Sequence, residues 1–300
     1  MKPILVIVGP TGVGKTKLSL ALAHQYEGEI ISADAMQFYQ GLDIGTAKTL
    51  PAEQEGIPHH LIDILSPDAA FSVAEYQKIV RTKIDELRKR DVMPILVGGS
   101  GLYIQAVLYD YRFEGEKRDD QNTARYDALS ITELYQMLEM TDPKAAKTVH
   151  PNNRKRVVRL LELAQSNPIS QSESGKLPYY DHFIMIGLEM PRAKLYQRIE
   201  ERVQLMFDRG LTAEARRLYD RGLHTQSVMA IGYKELYPYF AGEITLPEAI
   251  LQIKQNSRRY AKRQLTWFKN QMTVEWFEID PEHFDDTITA VQAFLNSQMK

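Results

Sequence analysis

Eight consecutive residues near the start of the chain, Gly9, Pro10, Thr11, Gly12, Val13, Gly14, Lys15 and Thr16, carry the spacing G-x-x-x-x-G-K-[ST] of a phosphate-binding loop. Glycines at these positions let successive backbone N–H groups converge on phosphate oxygens, and a helix starting at the lysine aims the positive end of its dipole at the anion. Lys15 supplies charge to the oxygens, and the Thr16 hydroxyl is a candidate Mg²⁺ ligand. The expected ligand is a diphosphate or a nucleotide. An ordinary glycine turn is the competing explanation, and the flanking residues weigh against it. Residues 4–8 are a continuous apolar run suited to a buried strand, and 17–26 place Leu18, Leu20, Leu22 and Ala23 at helical spacing. The loop alone does not say which polyphosphate chemistry follows. A second strand, over 29–33, ends at Asp34, whereas one over 94–97 runs into Gly98, Gly99 and Ser100 with no carboxylate. Asp34 is therefore either part of a metal shell or the base of the reaction, with a plain turn or cap aspartate as the structural alternative.

The elements that must hold these groups alternate. Strands are predicted over 4–8, 29–33, 60–65 and 94–97, with helices over 17–26, 73–90 and 102–108. That rhythm predicts an α/β fold, a doubly wound parallel sheet of the P-loop NTPase type. It breaks after Tyr111. Residues 112–130 are polar and 131–175 read as short helices, so 114–177 is expected to be a small helical insertion domain in a core made of 1–113 and 178–300. A strand over 182–190 restores the core. Helices over 192–209, 212–221, 229–240 and 246–270, a strand over 274–279 and a helix over 285–297 complete it.

With 300 residues, 44% hydrophobic and 25% charged, the chain has ample material for a core, which excludes a disordered or collagenous protein. It has no apolar run long enough to span a membrane and no signal peptide is read at its start. Cysteine is absent, which removes disulfides, thiolate metal sites and thiol catalysis and favours a cytoplasmic setting. The formal charge of −2 gives no hint of a nucleic-acid partner.

Several strings now line up in order: GPTGVGKT, ISADAMQFYQGLDIGTAK, PHHLID, VGGSGLY, HPNNRKRVVRLLE, AIGYKEL and RRYAKRQLTWF. Together, from residue 4 to about 270, they resemble the tRNA dimethylallyltransferase (isopentenyltransferase) family. The resemblance implies transfer of a dimethylallyl group from dimethylallyl diphosphate to the exocyclic amine of the adenosine 3′-adjacent to the anticodon, with release of pyrophosphate. It implies Asp34 as the general base, Ser100 beside the reacting amine, and Lys15, Thr16, Mg²⁺ and Arg202 on the diphosphate. It places Asp34, Ala35, Met36 and Gln37 against the flipped base, where Gln37 can pair with an adenine edge. It sets Lys155, Arg156, Val157, Val158 and Arg159 against the anticodon arm. Taken without the resemblance, a lone Arg202 would read as a solvated helix face, and Phe38 as core. Three positions depart from the commoner pattern: Ala35 replaces a serine, Ser100 replaces a threonine, and the insertion after Tyr111 is short, leaving Arg125 a weak tRNA candidate. The missing cysteines exclude the zinc-finger extension of some eukaryotic relatives and point to the bacterial type.

The near-zero charge conceals clustering. Residues 144–161 carry six basic side chains and no acid, and so do 254–272, leaving −14 on the rest of a chain whose total is −2. Arg258 and Lys262 are i,i+4 neighbours on one helix, as are Arg259 and Arg263. A salt-sensitive phosphate-contacting stripe is expected, with a solvated face as the alternative. Tyr260 and Trp267 could stack on a base, although core packing suits Trp267 better. His59 and His60, adjacent in a strand, face opposite ways and cannot easily share a metal ion; they read as a structural turn, or His59 as lying near the phosphate or acceptor. The partners expected are tRNA and dimethylallyl diphosphate, with no membrane, and the protein is expected to be a monomer. Competing readings are a P-loop small-molecule kinase, an adenylate isopentenyltransferase acting on free nucleotides, and an RNA-binding module with a nucleotide switch.

Overall fold

The computed structural model describes residues 2–113, 126–166 and 177–299. Arg125 lies outside them. Six parallel strands form one sheet in the order β3-β2-β4-β1-β5-β6: β1 Ile4–Val8, β2 Gly28–Ala33, β3 His59–His60, β4 Met93–Gly98, β5 Phe183–Glu189 and β6 Glu275–Glu278. The central strands are apolar and β-branched because helices cover both faces, so every residue of β1 is buried. The order places the chemistry. β1 lies between β4 and β5, and β4 lies between β1 and β2, so Gly98 is in register with Val8 on one side and Ala33 on the other. The phosphate loop, the turn at 98–100 and Asp34 therefore leave the same carboxyl edge side by side.

Helix α1 (Lys15–Tyr26) follows the loop, α2 (Val73–Lys89) precedes β4, and α3 (Gly101–Leu108) follows the glycine turn. Ser72 caps α2 by accepting from the Glu75 backbone, and Glu75 answers with its own side chain, the reciprocal arrangement that defines a helix start. Contacts divide the chain into a unit of residues 1–108 and 179–300 and a unit of 109–178. The sequence places the boundary at 114. The unit begins earlier because Tyr109 bridges to Pro178 in antiparallel pairing, a contact between distant residues that local pattern does not reveal. The smaller unit holds α4 (Ile131–Thr141), α5 (Pro143–Ala146) and α6 (Arg154–Ser166), packed around Tyr126, Leu134, Leu138, Val157 and Leu161.

In the larger unit, α7 (Arg192–Asp208), α8 (Leu211–Asp220), α9 (Leu236–Phe240), α10 (Leu246–Gln271) and α11 (Phe284–Gln298) complete the fold. Two expectations need correction. The strand predicted over 60–65 stops after His60, because Leu61 (φ 62°) and Asp63 (φ 56°) adopt left-handed backbone that no strand accommodates. The helix predicted over 229–240 is a 3₁₀ turn at Ser227–Met229 and a short helix at Leu236–Phe240. Gly232, at φ 103°, breaks it, and the Glu235 carboxylate takes the Gly232 amide at 2.8 Å. The apolar spacing there reflects packing of Val228, Ala230, Tyr233 and Leu236 in one cluster rather than a continuous helix.

Candidate active site

The phosphate loop is shaped by glycine where no other residue fits. Gly14 caps α1 at φ 103°, and a Cβ there would strike the Phe284 ring. Within the loop, Lys15 Nζ donates to Gly9 O at 3.0 Å and Pro10 O at 2.9 Å. Two arginines one turn apart on α7 reach the loop: Arg202 Nη1 donates to Thr11 Oγ1 at 3.0 Å, and Arg198 Nε donates to Gly12 O at 3.1 Å. Burial lowers the Lys15 ammonium to about 8. The Asp34 carboxylate opposes that shift and the Arg202 guanidinium adds to it. Arg202 is lowered by burial too, with Asp34 again opposing. Two cations held at a desolvation cost beside one carboxylate form a site complementary to a multiply charged anion.

Asp34 follows β2. Its Oδ1 accepts the Met36 amide at 3.0 Å, and its own amide donates to Ser32 Oγ at 3.3 Å, which fixes the carboxylate at the start of a turn. Ser100 Oγ accepts the Ala35 amide at 3.4 Å and lines the smaller cavity together with Tyr260. Burial raises the Tyr260 phenol, and the charge of Asp34 raises it further. Gln37 accepts from Ser32 Oγ at 3.1 Å and reaches Thr46 O and Ala47 O at 3.5 Å each.

These groups surround two cavities. One, of about 550 Å³, is lined by Lys15, Thr16, Gln37, His59 and Arg198 among others; the second, of about 270 Å³, is lined by Ala35, Met36, Ser100, Met206 and Ile231 among others. Thr11, Asp34, Thr46, Arg202 and Tyr260 line both, so the carboxylate stands where the two chambers meet, the first carrying Lys15 and Arg198 and the second Lys234 and Arg263 among the apolar side chains of Met36, Met206 and Ile231. Thr16 is a metal-ligand candidate in the first chamber. Among the described residues no group of three His, Asp or Glu side chains could cage an ion, so an Mg²⁺ here would be held by Thr16 and by ligand oxygens. That suits an ion that keeps its waters and binds through phosphates.

The sequence-derived site residues separate into three places. Gly9 to Thr16, Asp34 to Gln37, Ser100 and Arg202 converge on these cavities. In the smaller unit, Lys155 and Arg156 are exposed, but Val157 and Val158 are buried in its core, so their side chains offer nothing to a partner. Arg159 pairs with Glu162 at 3.1 Å. On α10, Lys262 is exposed, whereas Arg258 forms an ion pair with Glu200 and lies over the Tyr196 ring. Tyr260 belongs to the cavity wall rather than to a surface stacking platform, and Trp267 packs on Gly101 and against Phe268. Phe38 is fully buried between Phe71 and Tyr76. His59 binds Ile57 O and lines the first cavity, whereas His60 binds Glu29 away from it.

Sequence reasoning missed Arg198 and Gln264. Arg198 had a signal, standing one helical turn before Arg202. Gln264 had one as well: it is the polar residue on the inward stripe with Ala261 and Phe268. Its Oε1 accepts the Thr11 amide at 2.9 Å and its Nε2 donates to Gly99 O at 3.1 Å.

Known proteins bear on this arrangement. A family model described as IPP transferase matches residues 37–271. A tRNA dimethylallyltransferase of Bacillus pumilus is 50% identical over 308 residues, covering 99% of this chain and 96% of that protein. The Bacillus subtilis tRNA dimethylallyltransferase is 50% identical over 290 residues, covering 93% and 92%. Among solved structures, the full-length tRNA isopentenylpyrophosphate transferase of Bacillus halodurans matches with TM-score 0.76 and 45% identity, over 99% of this chain and 96% of that one. A eukaryotic dimethylallyltransferase acting on tRNA matches with TM-score 0.82 and 28% identity, over 98% and 78%. The relationship spans both the phosphate loop and the basic helix, and the chain belongs to the tRNA dimethylallyltransferase family.

Proposed function

We propose that this chain, a tRNA dimethylallyltransferase by its full-length relationship, takes dimethylallyl diphosphate into the chamber of the phosphate loop and a tRNA adenosine 3′-adjacent to the anticodon into the smaller chamber beside Ser100. One observation carries the reading: Asp34 lines both chambers. In the transfer, the adenine exocyclic nitrogen bonds to the allylic carbon as that carbon parts from the diphosphate oxygen. The nitrogen's proton passes to Asp34, and pyrophosphate leaves against Lys15 and Arg202. Lys15, relieved of its desolvation cost by the anion, stays charged where the leaving group gathers charge. Thr16 would hold an Mg²⁺ together with the diphosphate oxygens, and that ion would supply further neutralisation of the leaving group. Ser100, tied to the Ala35 amide, borders the acceptor amine. Gln37 reads the adenine edge by exchanging its 3.5 Å contacts to Thr46 O and Ala47 O for hydrogen bonds to the base.

Exposed Lys155 and Arg156 in one unit and Lys262 in the other take tRNA phosphates. No helix among the described residues is long and apolar enough to cross a membrane. The test is incubation with tRNA and radiolabelled dimethylallyl diphosphate in the absence of ATP. Label in RNA is the expected result. Label in AMP but not RNA would instead make the acceptor a free nucleotide, and ATP consumption without labelled RNA would make the protein a kinase.

A further inference from the structure

Gln264 is a buried amide in the middle of a 26-residue helix, and neither of its polar atoms serves that helix. Oε1 takes the Thr11 amide of the phosphate loop, and Nε2 gives its hydrogen to the carbonyl of Gly99 in the turn that carries Ser100. Thr11 and Gly99 follow different strands, β1 and β4, which are neighbours in the sheet. One side chain from a third element therefore ties the two loops of the site to each other. The fit admits no slack, because a Cβ at Gly99 would overlap the Gln264 amide nitrogen. One turn earlier, Tyr260 lines the same cavities.

The bond to Thr11 has a definite consequence. Its N–H points into the body of the protein, and its hydroxyl is left at the cavity wall, where it receives Arg202. Rotating the Thr11 peptide would move that hydroxyl and the guanidinium it holds. The bond to Gly99 acts separately on the Ser100 side.

We propose that Gln264 is a positioning residue for the transfer, with two separable effects: through Thr11 it orients Arg202 toward the donor diphosphate, and through Gly99 it sets Ser100 beside the acceptor. This rests on the reading of the site given above. Wild-type transfer of label from dimethylallyl diphosphate to tRNA tests that reading alone, and only ratios of variant to wild type bear on Gln264.

The experiment measures donor KM, kcat and tRNA dissociation constant for Gln264→Met and Gln264→Glu at pH 8.5, with a thermal melt of each. Gln264→Met keeps the volume and loses both hydrogen bonds; donor KM should rise and kcat should fall, each about tenfold for a misplaced reacting geometry, while tRNA affinity stays within about twofold. Gln264→Glu, ionised, keeps the acceptor for the Thr11 amide and loses the donor to Gly99. It should bring donor KM back to within about threefold of wild type while kcat stays low. A donor KM equally impaired in both variants, or unimpaired in both, overturns the proposal. A tRNA affinity that falls in parallel with kcat overturns it as well, since that pattern belongs to general loosening of the helix. Should Gln264→Met fail to fold, the KM-against-kcat split of Gln264→Glu decides alone.

Discussion

Tyr233 donates its hydroxyl hydrogen to Glu214 across 2.6 Å, deep in the larger unit, where no cationic side chain among the described residues pairs with the carboxylate. The same carboxylate accepts three consecutive backbone amides, those of Asp43, Ile44 and Gly45, each at 3.0 Å. A buried anion is compensated here by oriented N–H and O–H dipoles, in the manner of an anion nest. It holds the segment that presents Thr46 and Ala47 to the cavity. Burial raises the Tyr233 phenol, and the adjoining carboxylate raises it further, so the hydroxyl remains a donor at any physiological pH.

Glu214→Gln should therefore cost about 2–3 kcal/mol of stability, because one amide hydrogen would face the backbone donors that the carboxylate now accepts. Tyr233→Phe, which removes one bond to a charged acceptor, should cost about 1.5 kcal/mol. The double variant should cost less than the sum, since both changes act on the same network. Urea denaturation of the four proteins checks this, and additive losses would separate the two residues.

Asp34→Asn keeps an oxygen for the Met36 amide, now 3.0 Å from the carboxylate, and so preserves the turn while removing the proposed proton acceptor. Turnover should fall by about a hundredfold or more, with tRNA affinity nearly unchanged. Filter binding and single-turnover transfer provide the two measurements. A fully active Asp34→Asn protein would take Asp34 out of the proton transfer.

The Lys15 ammonium, at about 8 in the free protein, predicts the pH response of donor capture. Below that value the side chain is charged; as pH rises through it, the charge that attracts the diphosphate is lost. The kcat/KM for the donor, which reports the free enzyme, should decline above about pH 8. Lys15→Arg, charged throughout, should show no such decline even if its absolute rate is lower. Linkage has the opposite sign for stability. Between about 8 and 10.5 the unfolded chain holds a proton that the folded chain has released, so this group's contribution to stability improves as pH rises.

On α10, Arg259, Lys262 and Arg263 are exposed and could meet tRNA phosphates, while Arg258 is engaged by Glu200. Lys262→Ala and Arg259→Ala should each weaken tRNA binding and reduce the slope of log affinity against log salt by up to about one unit. Arg258→Ala should change the slope less. An unchanged slope in all three would make this helix face a plain solvated surface.

The elements that hold the chemistry were legible in the chain itself because their signals are local. Burial on both faces makes a run such as Ile4 to Val8 uniformly apolar, and a phosphate loop needs glycines at fixed spacing. Element ends at 192–209 and 246–270 fall within one residue of the observed helices for the same reason. Val157 and Val158 could not be separated from their basic neighbours in the string that carried the resemblance; a helix buries every third or fourth residue, and only the packed unit shows which face is inside. Folding alone decides that Gly98 stands in register with both Val8 and Ala33, that Arg258 is spent on Glu200, and that Gln264 bridges Thr11 and Gly99 across more than 160 residues of chain. Those pairings depend on which strands become neighbours and which helix crosses the sheet edge. Residue type and spacing constrain a hydrogen bond within a turn or two, but bring distant donors and acceptors together only through the packed core.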